Sequence, residues 1–150
     1  MTTTEETDLQ VRAAVYDSVM SRSRPFTAAE LSQGLDLPLG EAKASLERLA
    51  AGRVLVLQPE SREVLMAPPF SAVPTPFTVV AAERTYFANC IWDALGIPAM
   101  LACDARVETS CGCCGEGMSL TVKSQSLQDS AGLVHFAIPA RRWWEDIVFS

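Results

Sequence analysis

The residues of this chain best suited to chemistry are its cysteines and one aspartate. Cys90 and Asp93 stand three residues apart in the run Thr85-Tyr86-Phe87-Ala88-Asn89-Cys90-Ile91-Trp92-Asp93-Ala94-Leu95-Gly96-Ile97-Pro98. Phe87, Ile91 and Leu95 recur at near-helical spacing, and Gly96 with Pro98 supplies a stop, so the run predicts a short helix. On such a helix Cys90 and Asp93 share one face. A carboxylate there can take a thiol proton, and the thiolate can bond a soft electrophile. The plainer reading is that a lone Cys on an apolar helix is a small buried hydrophobe and that an Asp near a helix end is solvated. A second sulfur site follows in Ser110-Cys111-Gly112-Cys113-Cys114-Gly115. A structural zinc site wants four ligands in paired spacing. Here Cys111, Cys113 and Cys114 have no second pair, and His135 is the only histidine. Adjacent thiolates suit Hg²⁺ or Cu⁺ better, by softness.

The elements that must position these groups come from a chain of ordinary globular composition, 49% hydrophobic and 20% charged over 150 residues. That length suits one domain, or one small domain plus a lobe. The net charge of −6 argues against a broad nucleic-acid-binding surface, which needs clustered Lys and Arg. No apolar run is long enough to span a membrane. The start, Met1-Thr2-Thr3-Thr4-Glu5-Glu6, is polar and acidic, unlike a signal or transit peptide. All five cysteines, Cys103 included, lie in the second half. An odd count without a secretion signal predicts reduced thiols in a cytoplasm.

Residues 1–7 are expected to be a disordered tail. A helix is predicted from Asp8 to about Ser21. A second is capped by Thr27, with Glu30 completing a capping box, and ends at Gly34. A third runs from Gly40 to Ala51, with Gly52 as its stop. Val54–Leu57 and Glu63–Ala67 read as a β-hairpin. Three helices and a hairpin predict a winged-helix-like module over residues 8–67. The would-be reading helix carries Glu41, Lys43, Ser45, Glu47 and Arg48, whose charges cancel, so specific DNA binding is not expected. Residues 68–76 are a proline-rich connector. Beyond it, strands are predicted at Phe77–Val80, Ala105–Thr109, Met118–Val122 and Leu133–Ile138. A short helix is predicted at Ala140–Asp146, and another strand starts at Ile147–Phe149. The fold class is α+β: the winged-helix-like module followed by a small mixed-sheet domain with a Cys-bearing helix.

In this order the chain resembles the organomercurial (alkylmercury) lyases. The resemblance rests on Cys90-x-x-Asp93 followed by Ala105-Arg106-Val107, a Cys-bearing turn and Ser119-Leu120-Thr121-Val122. It implies residues 77–150 as the catalytic domain, with Cys90 and Asp93 catalytic. Cys111 matches a mainly structural family cysteine, whereas Cys113 and Cys114 depart from the family pattern. The reaction implied is protonolysis of carbon–mercury bonds, giving hydrocarbon and Hg(II). No added cofactor is needed. The substrate is a small organomercurial, cellular thiols are partners, and Hg(II) ends as a product ligand on sulfur. Mercury or another soft metal would be held by Cys90, Cys111, Cys113 and Cys114. The alternative is a winged-helix soft-metal or thiol sensor that uses the Cys111–Cys114 cluster.

The family's second catalytic cysteine falls shortly after the segment matching His135–Pro139, at about Ser150 or the next residue. A chain ending on Ile147-Val148-Phe149-Ser150 is therefore expected to be truncated at a catalytic position. A stop codon decoded as selenocysteine is one route, and a selenolate is a softer mercury ligand than a thiolate.

Overall fold

A computed structural model describes residues 3–128 and 132–148. Three helices open the chain: α1 Thr4–Arg22, α2 Ala28–Gly34 and α3 Leu39–Ala51. Each has its own local signals. Thr27 caps α2 and pairs reciprocally with Glu30. The same box, Thr3 with Glu6, starts α1 at Thr4. The expected tail thus stops short, because its Thr-x-x-Glu satisfies the orphan N–H groups of a first helical turn. Asp8 on α1 accepts from Ser45 and Arg48 of α3, and Arg48 also reaches Glu41.

Eight strands follow in one antiparallel sheet: β1 Val56–Leu57, β2 Val64–Ala67, β3 Phe70–Ser71, β4 Thr78–Ala81, β5 Arg84–Ala88, β6 Ala105–Ser110, β7 Gly117–Lys123 and β8 Ser126–Gln128. Their order is β1-β2-β3-β5-β4-β6-β7-β8. The expected mixed sheet is antiparallel throughout the described residues. The expected proline connector contributes β3, which joins the hairpin to β5. Its prolines flank Phe70 and Ser71, whose own N–H groups stay free to pair.

The largest correction concerns the run before Cys90. Arg84–Ala88 is a strand, paired with β4 from Thr78↔Phe87 to Ala81↔Arg84. Tyr86 and Ala88 are buried between more exposed neighbours, the period of two that a strand imposes. The helix starts later: α4 spans Ile91–Leu101 and runs through Gly96 and Pro98. Ile97 and Pro98 are fully buried against the sheet, and that burial outweighs the local cost of a helical proline. The stop is Ala102, in a left-handed conformation. Leu133–Ile138 forms no strand, since β8 takes the edge beside β7. Leu133 is 100% exposed. The expected short helix at Ala140–Asp146 is present as a 3-10 helix, Ala140–Glu145. Ile147 and Val148 lie in a turn, and Phe149 and Ser150 fall outside the described residues.

Two apolar clusters fill the interior. One joins α1, α2 and α3 to the β1–β2 hairpin, around Val11, Leu31, Leu46 and Leu55. The other joins α4 to the sheet, around Phe70, Val79, Tyr86, Ile97 and Val107. Tyr16 packs on both. Burying a side chain such as Phe70 or Ile97 is worth about 1.5–3 kcal/mol. Two tyrosine hydroxyls tie α1 down: Tyr16 donates to the Pro68 carbonyl at 2.9 Å, and Tyr86 to the Met20 carbonyl at 2.7 Å. No helix of the described residues is long and apolar enough to cross a membrane.

Candidate active site

Cys90 sits where the sheet hands the chain to α4. β5 ends at Ala88, and Cys90 is the N-cap of α4 in an extended conformation. Its Sγ accepts the backbone N–H of Asp93 at 3.5 Å. Sulfur is a weak acceptor, and Ser, Thr, Asp or Asn would cap this helix better. The thiol thus occupies a position that stability alone would give to an oxygen. The expected link between Cys90 and Asp93 holds, but as cap and first-turn residue rather than as two positions along one helix.

Asp93 is half-buried. Asn89 Nδ2 donates to its Oδ2 at 2.9 Å and to the Phe70 carbonyl at 3.3 Å. Asn89 therefore fixes the carboxylate against β3. Burial raises the Asp93 pKa above the ordinary carboxylate value, and the Asn89 hydrogen bond only partly opposes it. Burial likewise raises the Cys90 thiol. The Asp93 and Trp92 N–H groups pull it down, and the Asp93 charge pushes it further up. Both groups thus hold protons more tightly than in water, and the Asp93 charge adds to the penalty on ionising Cys90. Tyr16 lies close enough to feel the Asp93 charge; burial, above all, raises its pKa. Sequence reasoning missed Asn89 and Tyr16. A polar residue beside Cys90 at the end of an apolar strand was the only signal for Asn89, and nothing local marks Tyr16.

The cysteine turn joins β6 to β7. Cys111 N–H donates to the Glu116 carbonyl, and Gly115 N–H to the Cys111 carbonyl, both at 2.8 Å. The Cys114 and Cys113 N–H groups and the Cys114 thiol converge on Cys111 Sγ and lower its pKa, against a smaller opposing influence of burial and Glu116. Gly115 has φ +75°, which a residue without Cβ adopts at no steric cost. Cys111 is half-buried, while Cys113 and Cys114 are exposed.

A cavity of about 610 Å³ lies between α4 and the β6–β7 end of the sheet. Phe77, Ile91, Leu95, Met118, Leu120 and Leu133 make it mainly apolar, and Thr109, Cys111, Cys113 and His135 supply its polar groups. Thr109 Oγ1 is buried without a hydrogen-bond partner. Cys111 and Cys113 are thus brought to the same cavity as Ile91, the neighbour of Cys90. Cys103 packs elsewhere, at the edge of the sheet-side core. Among the described residues no three His, Cys, Asp or Glu side chains are grouped to hold a metal ion.

The model of the alkylmercury lyase family, MerB, matches residues 70–149. That stretch holds Cys90, Asp93 and the cysteine turn. The chain belongs to the alkylmercury lyase family. The crystal structure of the mercury-bound form of MerB2 superposes on it with a TM-score of 0.64 at 21% identity, over 81% of this chain and 58% of that one. At that identity the likeness is one of fold. The chain spans 58% of that relative's length. No curated protein sequence matches it.

Proposed function

We propose that this alkylmercury lyase family member cleaves carbon–mercury bonds by protonolysis, with Cys90 as mercury ligand and Asp93 as proton carrier. The observation that carries the reading is the Cys90–Asp93 pairing at the start of α4, with Asp93 half-buried, its pKa raised and its Oδ2 held by Asn89. A carboxylate that must take a thiol proton and hand it to carbon needs a raised affinity for that proton, and burial supplies it.

The steps balance. R–Hg⁺ bonds to Cys90 Sγ as the thiol proton passes to Asp93. A second thiolate binds mercury and pushes electron density toward the carbon–mercury bond. Asp93 then gives its proton to carbon, the carbon–mercury electron pair becomes the new C–H bond, and RH leaves. Hg(II) stays on sulfur until cellular thiols remove it. The second thiolate comes from a cellular thiol, from Cys111 or Cys113, which line the cavity beside Ile91, or from Cys114 in the same turn. No further cofactor enters. The apolar cavity beside Ile91 suits an organic group more than a hydrated ion.

In the same proposal, residues 8–67 are a winged-helix-type scaffold and 77–150 the catalytic domain. The charges of the scaffold support structural use. Arg48 is paired with Asp8 and Glu41, and Arg62 with Glu47, so two of the cations that could meet phosphate are already neutralised. We place the reaction in the cytoplasm, where thiols are reduced.

The test is release of hydrocarbon from an arylmercurial in the presence of excess thiol. The parent chain is expected to turn over and Cys90→Ser to show none. Serine is the better N-cap, so Cys90→Ser is expected to fold with stability within about 1 kcal/mol of the parent. Full turnover by Cys90→Ser would sink the assignment. Sequence-selective DNA retardation at physiological salt would favour the sensor instead.

A further inference from the structure

The protonolysis scheme leaves the exposed thiol of Cys114 without a necessary role, although it lies against Cys111. We infer that Cys111 and Cys114 form a reversible dithiol–disulfide couple, oxidised by low-molecular-weight disulfides of the glutathione class and reopened by excess thiol. The inference stands on the turn geometry and does not depend on mercury chemistry.

Gly115 N–H closes onto the Cys111 carbonyl, which wraps residues 111–115 into a single helical-type turn. Residues three apart on such a turn have Cβ atoms roughly 5–6 Å from one another. A disulfide needs Cβ atoms about 3.5–4.5 Å apart, so a small tightening of a solvent-exposed turn suffices. The Cys111 N–H to Glu116 carbonyl bond closes the same turn from the other side, so both thiols ride on one short loop. Neither alternative pairing within the turn is as well placed. Cys113 follows Cys111 by two residues and adjoins Cys114, spacings that force strain into a disulfide. Gly112, with open space around its Cβ position, lets the turn tighten. Cys103 and Cys90 sit on other elements.

Either sulfur of the couple can attack first, and Cys111 Sγ stands for both. It attacks one sulfur of the small disulfide RSSR, forming Cys111–S–S–R and releasing RS⁻, which is protonated to RSH. Cys114, having lost its proton to solvent, attacks the Cys111 sulfur of the mixed disulfide and expels a second RS⁻. Two protein thiols are oxidised and one small disulfide is reduced to two thiols. In the oxidised form Cys111 no longer offers a free thiol to the cavity.

The test uses the full reduced chain in buffers of oxidised and reduced glutathione, quenched with acid, alkylated and mapped by fragmentation mass spectrometry. The expected result is loss of two of the five free thiols, with a Cys111–Cys114 linkage that excess reduced glutathione reverses. Cys114→Ser is expected to accumulate a glutathione adduct on Cys111. Cys113→Ser should form the linkage as the parent does. The far-UV circular dichroism of each variant, compared with the parent, separates misfolding from lost chemistry. A correctly folded parent that gains only glutathione adducts would overturn the inference. So would a linkage through Cys113 or Cys90. Because no mercurial is present, failure here leaves the lyase assignment standing, and failure of that assignment leaves this couple intact.

Discussion

Asp93 is a carboxylate held half-buried in the first turn of α4. Its pKa lies above the ordinary value of 3.8 because burial penalises the charge. Between that value and the raised one, the folded chain holds a proton that the unfolded chain has released. Stability therefore falls as pH climbs through this window and stays lower above it. Asp93→Asn removes the penalty and can still accept from Asn89. It is expected to melt higher than the parent at pH 8, with the difference closing below the ordinary carboxylate range. Hydrocarbon release should fall by roughly 100-fold or more, the usual worth of a positioned acid. Melting curves at several pH values and turnover assays check both halves, and a variant that melts lower at pH 8 would count against the burial argument. The thiols give a second test. Cys90 is raised above, and Cys111 lowered below, the ordinary 9.0. Timed alkylation with iodoacetamide at pH 7 should label Cys111 well before Cys90, and the Cys90 rate should still be rising beyond pH 9. The Cys90–Asp93 pair was legible because three-residue spacing means proximity in a cap as well as along a helix. Asn89 was not, because its anchor on β3, the Phe70 carbonyl, is 19 positions away, and its bond to Asp93 depends on the strand-to-helix break that hides in this run.

α4 shows why the elements around the site were harder to read than those before them. α1, α2 and α3 carry their own punctuation in Thr27, Gly52 and polar first turns, which need no tertiary partner. Thr85–Leu95 carries none at the place where strand becomes helix. Phe87, Ile91 and Leu95 fall at helical spacing by accident, since Phe87 belongs to β5 and the other two to α4. Gly96 and Pro98 read as a stop because local preference says so, and packing of Ile97 and Pro98 on the sheet overrides it. Gly96 is thus a glycine in a helix interior with no conformational need to be one. A Cβ there would meet Pro69 Cβ at 3.6 Å, ordinary contact. Gly96→Ala is expected to stabilise the chain by roughly 0.5–1 kcal/mol, read as a higher Tm or denaturant midpoint. A lower Tm would mean that Pro69 cannot accommodate the methyl.

At the scale of the molecule, one sheet runs through both halves that the sequence divides, and α1 is held against both. The hydroxyl of Tyr86 reaches the Met20 carbonyl from 66 positions away. Tyr86→Phe removes that bond and leaves a helix-end carbonyl unpaired, at a cost of about 1 kcal/mol. Because Tyr16 and β3 also bridge the two clusters, the variant should still unfold in one transition, with near- and far-UV circular dichroism coincident. Separate transitions would mean that the clusters are independent. This continuity was not legible, because the proline-rich stretch hides β3, the strand that joins the parts. The strand order has a consequence for synthesis. From β2 onward every strand except β4 pairs with one already made, so the sheet can grow as the chain leaves the ribosome. α1 is the exception to that economy. It is made first, yet Tyr16 must wait for Pro68 and Met20 for Tyr86. Its Val19 face stays bare while the sheet is built. In the nascent chain the first helix is the segment most exposed to wrong partners, and the one a chaperone would have most reason to hold.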